Sequence, residues 1–344
     1  MKRSRIVLLV LVVLLAVGGF VAWRMYSTAF GPGPRFDDGD RILLIPTGST
    51  FDQVVQSVTE EGLVTDEKTF RLLAERKKYT QRVKPGRYKV GSGMSLNALI
   101  NKLRSGDQDP VRVTFTNIRT LPQLAGQVAN YIEADSVELI QAMRDPITVD
   151  RLGFRSETMI SVFIPNTYEF WWTTTPEEFL ERMAKEYKRF WTEEREAKAK
   201  GINLSQAEVA TLASIVQAET AKPDEAPIIA GVYLNRLRIG MPLQADPTLK
   251  FALGLDSLTR ILTEDLQVAS PYNTYTHAGL PPGPINMPEP RYIDAVLNAQ
   301  KNAYLYFCAR ETLDGYSNFA KTYEQHLVNA RRYQRALNER GIYR

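Results

Sequence analysis

Cysteine is almost missing from this chain. Cys308 stands alone among 344 residues, so no intramolecular disulfide can form. It sits in the apolar run 304–309, where a buried strand cysteine is the ordinary reading and a nucleophile the rare one. Histidine is equally scarce, with only His277 and His326. A zinc site would have to draw most of its ligands from Asp and Glu, which argues against zinc amidases and zinc peptidases. Runs of five or six basic residues are lacking, and Lys and Arg interleave with acids, so the net charge of +4 is no nucleic-acid footprint. That mild excess suits an anionic wall or membrane surface. Long apolar runs are lacking too, with one exception.

The exception opens the chain. Lys2, Arg3 and Arg5 precede an uncharged apolar stretch from Ile6 to Trp23, closed by Arg24. These 18 residues approach the ~20 needed to span the ~30 Å hydrocarbon core of a bilayer. The basic flank orients the short tail to the cytoplasm and everything after the span outside. A cleaved signal peptide is the competing reading, with Ala16-Val17-Gly18 as its small-residue site. The length of the run and Trp23 as an interfacial anchor favour retention. Residues 1–27 are therefore read as tail and single membrane span, and 28–40, rich in Gly, Pro and Asp, as a linker.

Beyond the linker, apolar periodicity and capping residues predict strands at 41–46, 83–90 and 111–115, with helices at 50–61, 66–74 and 95–103. The stretch Thr50-Phe51-Asp52-Gln53-Val54-Val55 recurs seventy residues later as Thr120-Leu121-Pro122-Gln123-Leu124-Ala125. Each copy is followed by a helix opened by Asp, at Asp66 and Asp135. This reads as a small β-α-α unit used twice. The module at 41–115 resembles in pattern the LysM type, which binds N-acetylglucosamine in glycan chains. Residues 116–200 form a second repeat-like segment, ending in one long charged helix from Pro176 to Lys200. The remainder, 201–344, is the expected catalytic domain, and the fold class is α/β (α+β).

The helix 205–220 carries the chemistry. Ser205 and Glu208 have the spacing of a capping box, which gives Glu208 a structural task. Glu219 differs: three, four and seven residues before it stand Val216, Ile215 and Leu212, an apolar stripe. A carboxyl there points into packing, and burial raises its pKa toward that of a general acid. The bland reading is an ion pair with Arg236 or Arg238 on a second amphipathic helix, 226–239. Then comes an exposed-looking loop at 240–248 that carries Gln244, Asp246 and Thr248, and further rigid loops at 270–275, with Tyr272 and Asn273, and 279–286. Aromatic faces and fixed amides of this kind suit sugar rings, hydroxyls and N-acetyl groups.

Taken in order, Ala-Ser-Ile-Val-x-x-Glu-Thr (213–220), Val-Tyr-Leu-Asn-Arg-Leu (232–237), Gly-Met-Pro-Leu-Gln-Ala-Asp-Pro-Thr (240–248), Tyr-Asn-Thr-Tyr (272–275), Gly-Leu-Pro-Pro-Gly-Pro-Ile (279–285) and Lys-Thr-Tyr-Glu-Gln-His (321–326) resemble the MltG/YceG-like endolytic murein transglycosylases. Where many members have Glu-x-Glu-Thr, this chain has Gln217-Ala218-Glu219-Thr220, so the catalytic role falls on Glu219. Two further departures stand out. Ile160-Ser161 replaces the usual Glu-Gly before Phe163–Glu169, and Gly315-Tyr316-Ser317-Asn318-Phe319 lacks the family's histidine.

The resemblance implies cleavage of the β-1,4 bond between N-acetylmuramic acid and N-acetylglucosamine without water, leaving 1,6-anhydro ends. Glu219 would serve as acid and then base. Asn235, Gln244, Tyr272 and Asn273 are the candidates for holding substrate, with Thr248 beside them, and Asp246 would orient Glu219 or cap its loop. No metal or organic cofactor is implied. The partners implied are peptidoglycan strands and peptidoglycan synthases, at the inner membrane with the catalytic domain outside the cytoplasm. The rival class is a non-catalytic wall-binding scaffold, and a hydrolase using water is a third reading.

Overall fold

A computed structural model describes residues 2–37, 39–254 and 261–342. Helix α1 (Lys2–Phe30) holds the apolar span Ile6–Phe30, long and apolar enough to cross a membrane, and Ile6 to Phe20 are exposed along it. Two compact units make up the chain. The first comprises Met1–Val113, Tyr131–Ala134 and Glu169–Thr175, and the second Thr114–Asn130, Asp135–Tyr168 and Pro176–Arg344.

In the first unit, β1 (Arg41–Ile45), α2 (Phe51–Glu60), α3 (Glu67–Arg76) and β2 (Gly86–Val90) follow in β-α-α-β order, and α4 (Leu96–Ser105) follows them. The two strands pair antiparallel from Arg41↔Val90 to Ile45↔Gly86. Their alternate side chains Leu43, Ile45, Tyr88 and Val90 join Val54, Val55 and Val58 of α2 and Leu99, Ile100 and Leu103 of α4 in one core. Thr50 and Gln53 form a capping box on α2, and Asp66 accepts the backbone N–H of Lys68 and Thr69 to open α3.

After β3 (Val111–Phe115) the second repeat copy does the same. Thr120 caps α5 (Leu121–Ala129), and Asp135 forms a capping box with Glu138 on α6 (Ser136–Arg144). Then come α7 (Pro146–Arg151) and β4 (Asn166–Phe170), the latter paired with β3. The single charged helix expected over 176–200 is two helices, α8 (Pro176–Phe190) and α9 (Glu193–Gly201). The break has a local cause. Trp191 is buried, and the Thr192 hydroxyl accepts the Arg195 N–H at 3.4 Å, so capping replaces helix continuation. Arg195 then bridges to Asp294 at 2.9 and 3.0 Å.

The core of the second unit is α10 (Gln206–Glu219), opened by the expected Ser205–Glu208 capping box. Every residue from Val209 to Val216 is buried, so the helix is enclosed on all sides, whereas the sequence suggested a single apolar stripe. Ala and Ser on the remaining faces let α11 (Ala226–Arg238) and, farther along the chain, α13 (Pro290–Leu297) pack closely on it. The expected loop at 240–248 ends early, because Asp246 and Pro247 open a short helix, α12 (Asp246–Leu253). Strands β5 (Tyr306–Ala309) and β6 (Ser317–Ala320) form an antiparallel hairpin, followed by α14 (Tyr323–Glu339). Cys308 lies half-buried in β5, where burial pushes its thiol up, away from reactivity.

Candidate active site

Glu219 is the last residue of α10, because Thr220 turns extended (φ −141°, ψ 137°). The end of the helix is fixed from several sides. The Ser214 hydroxyl accepts the Ile285 N–H at 3.0 Å, and the Ser214 carbonyl accepts the Asn286 amide at 3.0 Å. The Gln217 side chain accepts the Glu289 N–H at 2.7 Å, and the Tyr292 hydroxyl donates to the Thr220 carbonyl at 3.3 Å. These bonds tie the rigid 279–289 segment to the acid-bearing turn.

Glu219 is half-buried as a residue, and its carboxyl lies within dense packing. Tyr233, on α11 and wholly buried against Phe307, donates its hydroxyl to Glu219 Oε1 at 2.7 Å. Burial is the main reason that the carboxyl's pKa rises from the ordinary 4.5 to about 7. The Tyr233 hydrogen bond opposes the rise, the negative charge of Asp246 adds to it, and Arg236 and Lys250 oppose it weakly. A helix C-terminus, with its exposed carbonyls, is itself a poor place for a carboxylate. Near neutral pH a large fraction of Glu219 therefore holds a proton.

Arg236 does not take the ion-pair role. It is buried and spends its donors on carbonyls, those of Leu305 at 2.7 Å and Leu243 at 2.8 Å. Arg238 donates to Asn235 Oδ1 at 3.2 Å. Burial lowers the Arg236 pKa from its ordinary value.

The structure treats the other sequence-chosen residues unequally. Asp246, exposed at the start of α12, accepts a short hydrogen bond from the Tyr275 hydroxyl and acts electrostatically on Glu219. Gln244 is exposed with φ 48°, and its backbone N–H donates to the Thr274 carbonyl at 2.9 Å. Tyr272 packs on Phe251 at 4.7 Å and lines a cavity of about 450 Å³ with Arg119, Glu157, Ile160 and Pro284. The remaining three are committed to packing. Asn235 donates to the carbonyls of Asn302 and Tyr304, both at 3.0 Å. Asn273 donates to those of Leu266 and Val268, also at 3.0 Å. Thr248 shares a 2.8 Å bond with Thr274. Their amides and hydroxyl are spent on hydrogen bonds within the fold.

Three residues escaped sequence reasoning: Tyr233, Tyr275 and Lys250. Tyr233 and Tyr275 stand inside the motifs at 232–237 and 272–275, but their meeting with the carboxyls crosses between chain segments, which periodicity does not report. Beside Glu219 in the chain, a cavity of about 300 Å³ is lined by Asn117, Arg119, Gln217, Ala218, Lys250 and Asn286. Among the described residues no three His, Cys, Asp or Glu side chains converge as a metal-ligand set.

A hydrogen-bonded carboxyl set in dense packing at the end of a core helix, with its pKa raised toward neutrality, is the chemistry of a candidate proton donor. The sequence profile of the YceG-like family matches residues 43–332, and the chain belongs to that family. It is 30% identical over 312 residues to the endolytic murein transglycosylase of Bacillus subtilis (strain 168), across 86% of this chain and 85% of that protein. The endolytic murein transglycosylase of Streptococcus pneumoniae (strain D39) is 29% identical over 360 residues, covering 94% of this chain and 64% of the relative. A crystal structure of a YceG-like protein from Listeria monocytogenes superposes with a TM-score of 0.56 at 27% identity, over 84% of this chain and 98% of that one.

Proposed function

We propose that the protein is an endolytic lytic transglycosylase of peptidoglycan, with Glu219 as its acid and base. The observation that carries this reading is the enclosed Glu219 carboxyl, whose pKa near 7 keeps a proton available at neutral pH. The names of its relatives supply the substrate class. In the proposed reaction Glu219 protonates the glycosidic oxygen between N-acetylmuramic acid and N-acetylglucosamine, and the bond from C1 to that oxygen breaks. The muramic C6 hydroxyl then attacks C1 and gives its proton to the Glu219 carboxylate, closing a 1,6-anhydro ring. One carboxyl group returns to its starting state without water. Cutting within nascent strands would terminate their elongation.

The surrounding assignments belong to the same proposal. Residues 1–27 anchor the chain once in the inner membrane, with the body outside the cytoplasm. The β-α-α-β unit within 41–115 serves as a LysM-like glycan-binding module, and 201–344 as the catalytic domain. Gln244, Asp246 and Tyr272 remain the candidates for substrate contact, and peptidoglycan synthases are the partners expected to supply new strands.

Digestion of purified sacculi with the detergent-solubilised chain, followed by mass spectrometry of the new ends, tests the reading. Expected are 1,6-anhydro-muramic ends with no label from heavy-oxygen water, and a fall of at least ~10²-fold in rate for Glu219→Gln. Reducing ends carrying heavy oxygen would instead make the protein a hydrolase. Intact strands with protein bound would make it a scaffold.

A further inference from the structure

Two carboxylates of the second unit, one ending α10 and one opening α12, each take a hydrogen bond from a tyrosine. From α11, Tyr233 donates to Glu219 Oε1 at 2.7 Å, so one carboxyl oxygen is occupied and Oε2 is left to carry a transferable proton. From the 272–275 loop, Tyr275 donates to Asp246 Oδ1. That bond restrains the carboxylate of Asp246 on the first turn of α12, from where its charge reaches Glu219. The other charged groups acting on Glu219 are Arg236 of α11 and Lys250 of α12. Arg236 is held away by its bonds to the Leu243 and Leu305 carbonyls. From α13 the Tyr292 hydroxyl reaches the Thr220 carbonyl.

We infer that Tyr233 and Asp246 are positioning residues with opposite effects on one proton: Tyr233 aims the Glu219 carboxyl and favours its release of the proton, Asp246 favours its retention, and Tyr275 acts only through Asp246. The use of this balance in catalysis rests on the reading of Glu219 as the proton donor. The signs follow from elementary electrostatics. A hydrogen bond donated to a carboxyl oxygen favours the anion, and a neighbouring negative charge disfavours it. Burial sets a high pKa but gives the carboxyl no direction; the Tyr233 bond adds direction, and with the Asp246 charge a balance between donating and accepting, which a group used first as acid and then as base requires.

Opposite shifts are something that general damage to the fold cannot produce. The test uses the full chain in detergent micelles, with pH–rate profiles on purified glycan strands and an infrared titration of the Glu219 carboxyl band, assigned by its loss in Glu219→Gln. Tyr233→Phe is expected to move the alkaline limb and the infrared midpoint up by roughly half a pH unit or more, and to lower kcat about tenfold with little change in KM. Asp246→Asn is expected to move both down by a similar amount. Tyr275→Phe added to Asp246→Asn should move them no further, as a residue acting only through Asp246 requires. Shifts in the same direction, or no shift in either variant, would overturn the inference even if Glu219→Gln is inactive. If Glu219→Gln keeps its activity while the infrared midpoints move as stated, the catalytic reading fails and the proton-balance inference survives. Should a variant lose all turnover, the infrared midpoint still decides.

Discussion

Replacing Glu219 by Gln should make the second unit more stable in alkaline solution, although it removes the proposed acid. The carboxyl's pKa is about 7 in the folded chain against an ordinary 4.5. Below 4.5 folded and unfolded chains are both protonated, and the group contributes no difference. Between 4.5 and about 7 the unfolded chain releases the proton while the folded chain keeps it, so stability falls as pH rises through this window. Above 7 the penalty is complete. At about 1.4 kcal/mol for each tenfold step its ceiling is about 3–4 kcal/mol, and the half-buried position of the residue reduces this to roughly 1–3 kcal/mol. Gln is nearly isosteric, stays neutral, and can still accept the Tyr233 hydroxyl, so it avoids the penalty without losing the bond. Hydrogen exchange of the α10 amides reports the second unit separately from the first. At pH 8 the protection of Glu219→Gln should exceed that of the native chain by about fivefold or more, and at pH 4 the two should agree. Equal protection at both values, or a less stable variant at pH 8, would refute the claim that burial strains this carboxyl.

Other perturbations have expected outcomes of their own. Asn235→Ala should lower thermal stability, on the order of 2 kcal/mol, because it frees the Asn302 and Tyr304 carbonyls; KM measured well below the transition should be unchanged. Gly231→Ala would place a Cβ 2.4 Å from the Gln300 carbonyl oxygen and 2.5 Å from Asn302 Nδ2. A loss of about 1–3 kcal/mol is expected, seen as a lower melting temperature, together with reduced turnover as α11 shifts Tyr233. Ser205→Ala should cost about 1 kcal/mol by removing the α10 cap, while Glu208→Gln, which keeps an acceptor for the Ser205 N–H, should cost less, both read from chemical denaturation. Removing residues 1–26 should release the chain from membranes as a folded soluble protein, checked by sedimentation and circular dichroism, since Ala29, which packs in the first unit, is retained.

Much of the architecture was legible in the sequence where the cause is local. A cap needs only neighbours within one turn, so Thr50, Asp66, Asp135 and the Ser205–Glu208 pair announced their helices. The repeat was visible because both copies solve the same capping problem with the same residue types. The membrane-length helix depends on composition alone. Where one helix was expected and two formed, the charge pattern of 176–200 ran on without a break, and the Thr192 cap next to buried Trp191 was the local signal it masked.

At the site the division is the same. Intrahelical spacing was enough to put Glu219 in apolar surroundings at the end of its helix, because positions three, four and seven residues back share its face. Hydrogen-bond partners had to wait for the folded chain. Asn235, Asn273 and Thr248 looked available for sugars, yet a buried amide or hydroxyl must be satisfied by whatever backbone passes nearby, and here carbonyls and Thr274 claimed them. Arg236 looked like a counter-ion and became a clamp on the Leu243 and Leu305 carbonyls. Sequence by itself determined the helix of membrane-spanning length, the caps, the repeated unit and the apolar setting of one carboxyl. Only the tertiary structure decided that Tyr233 would meet that carboxyl and Tyr275 would meet Asp246, since those contacts join side chains 14 and 29 residues apart and no local period encodes them.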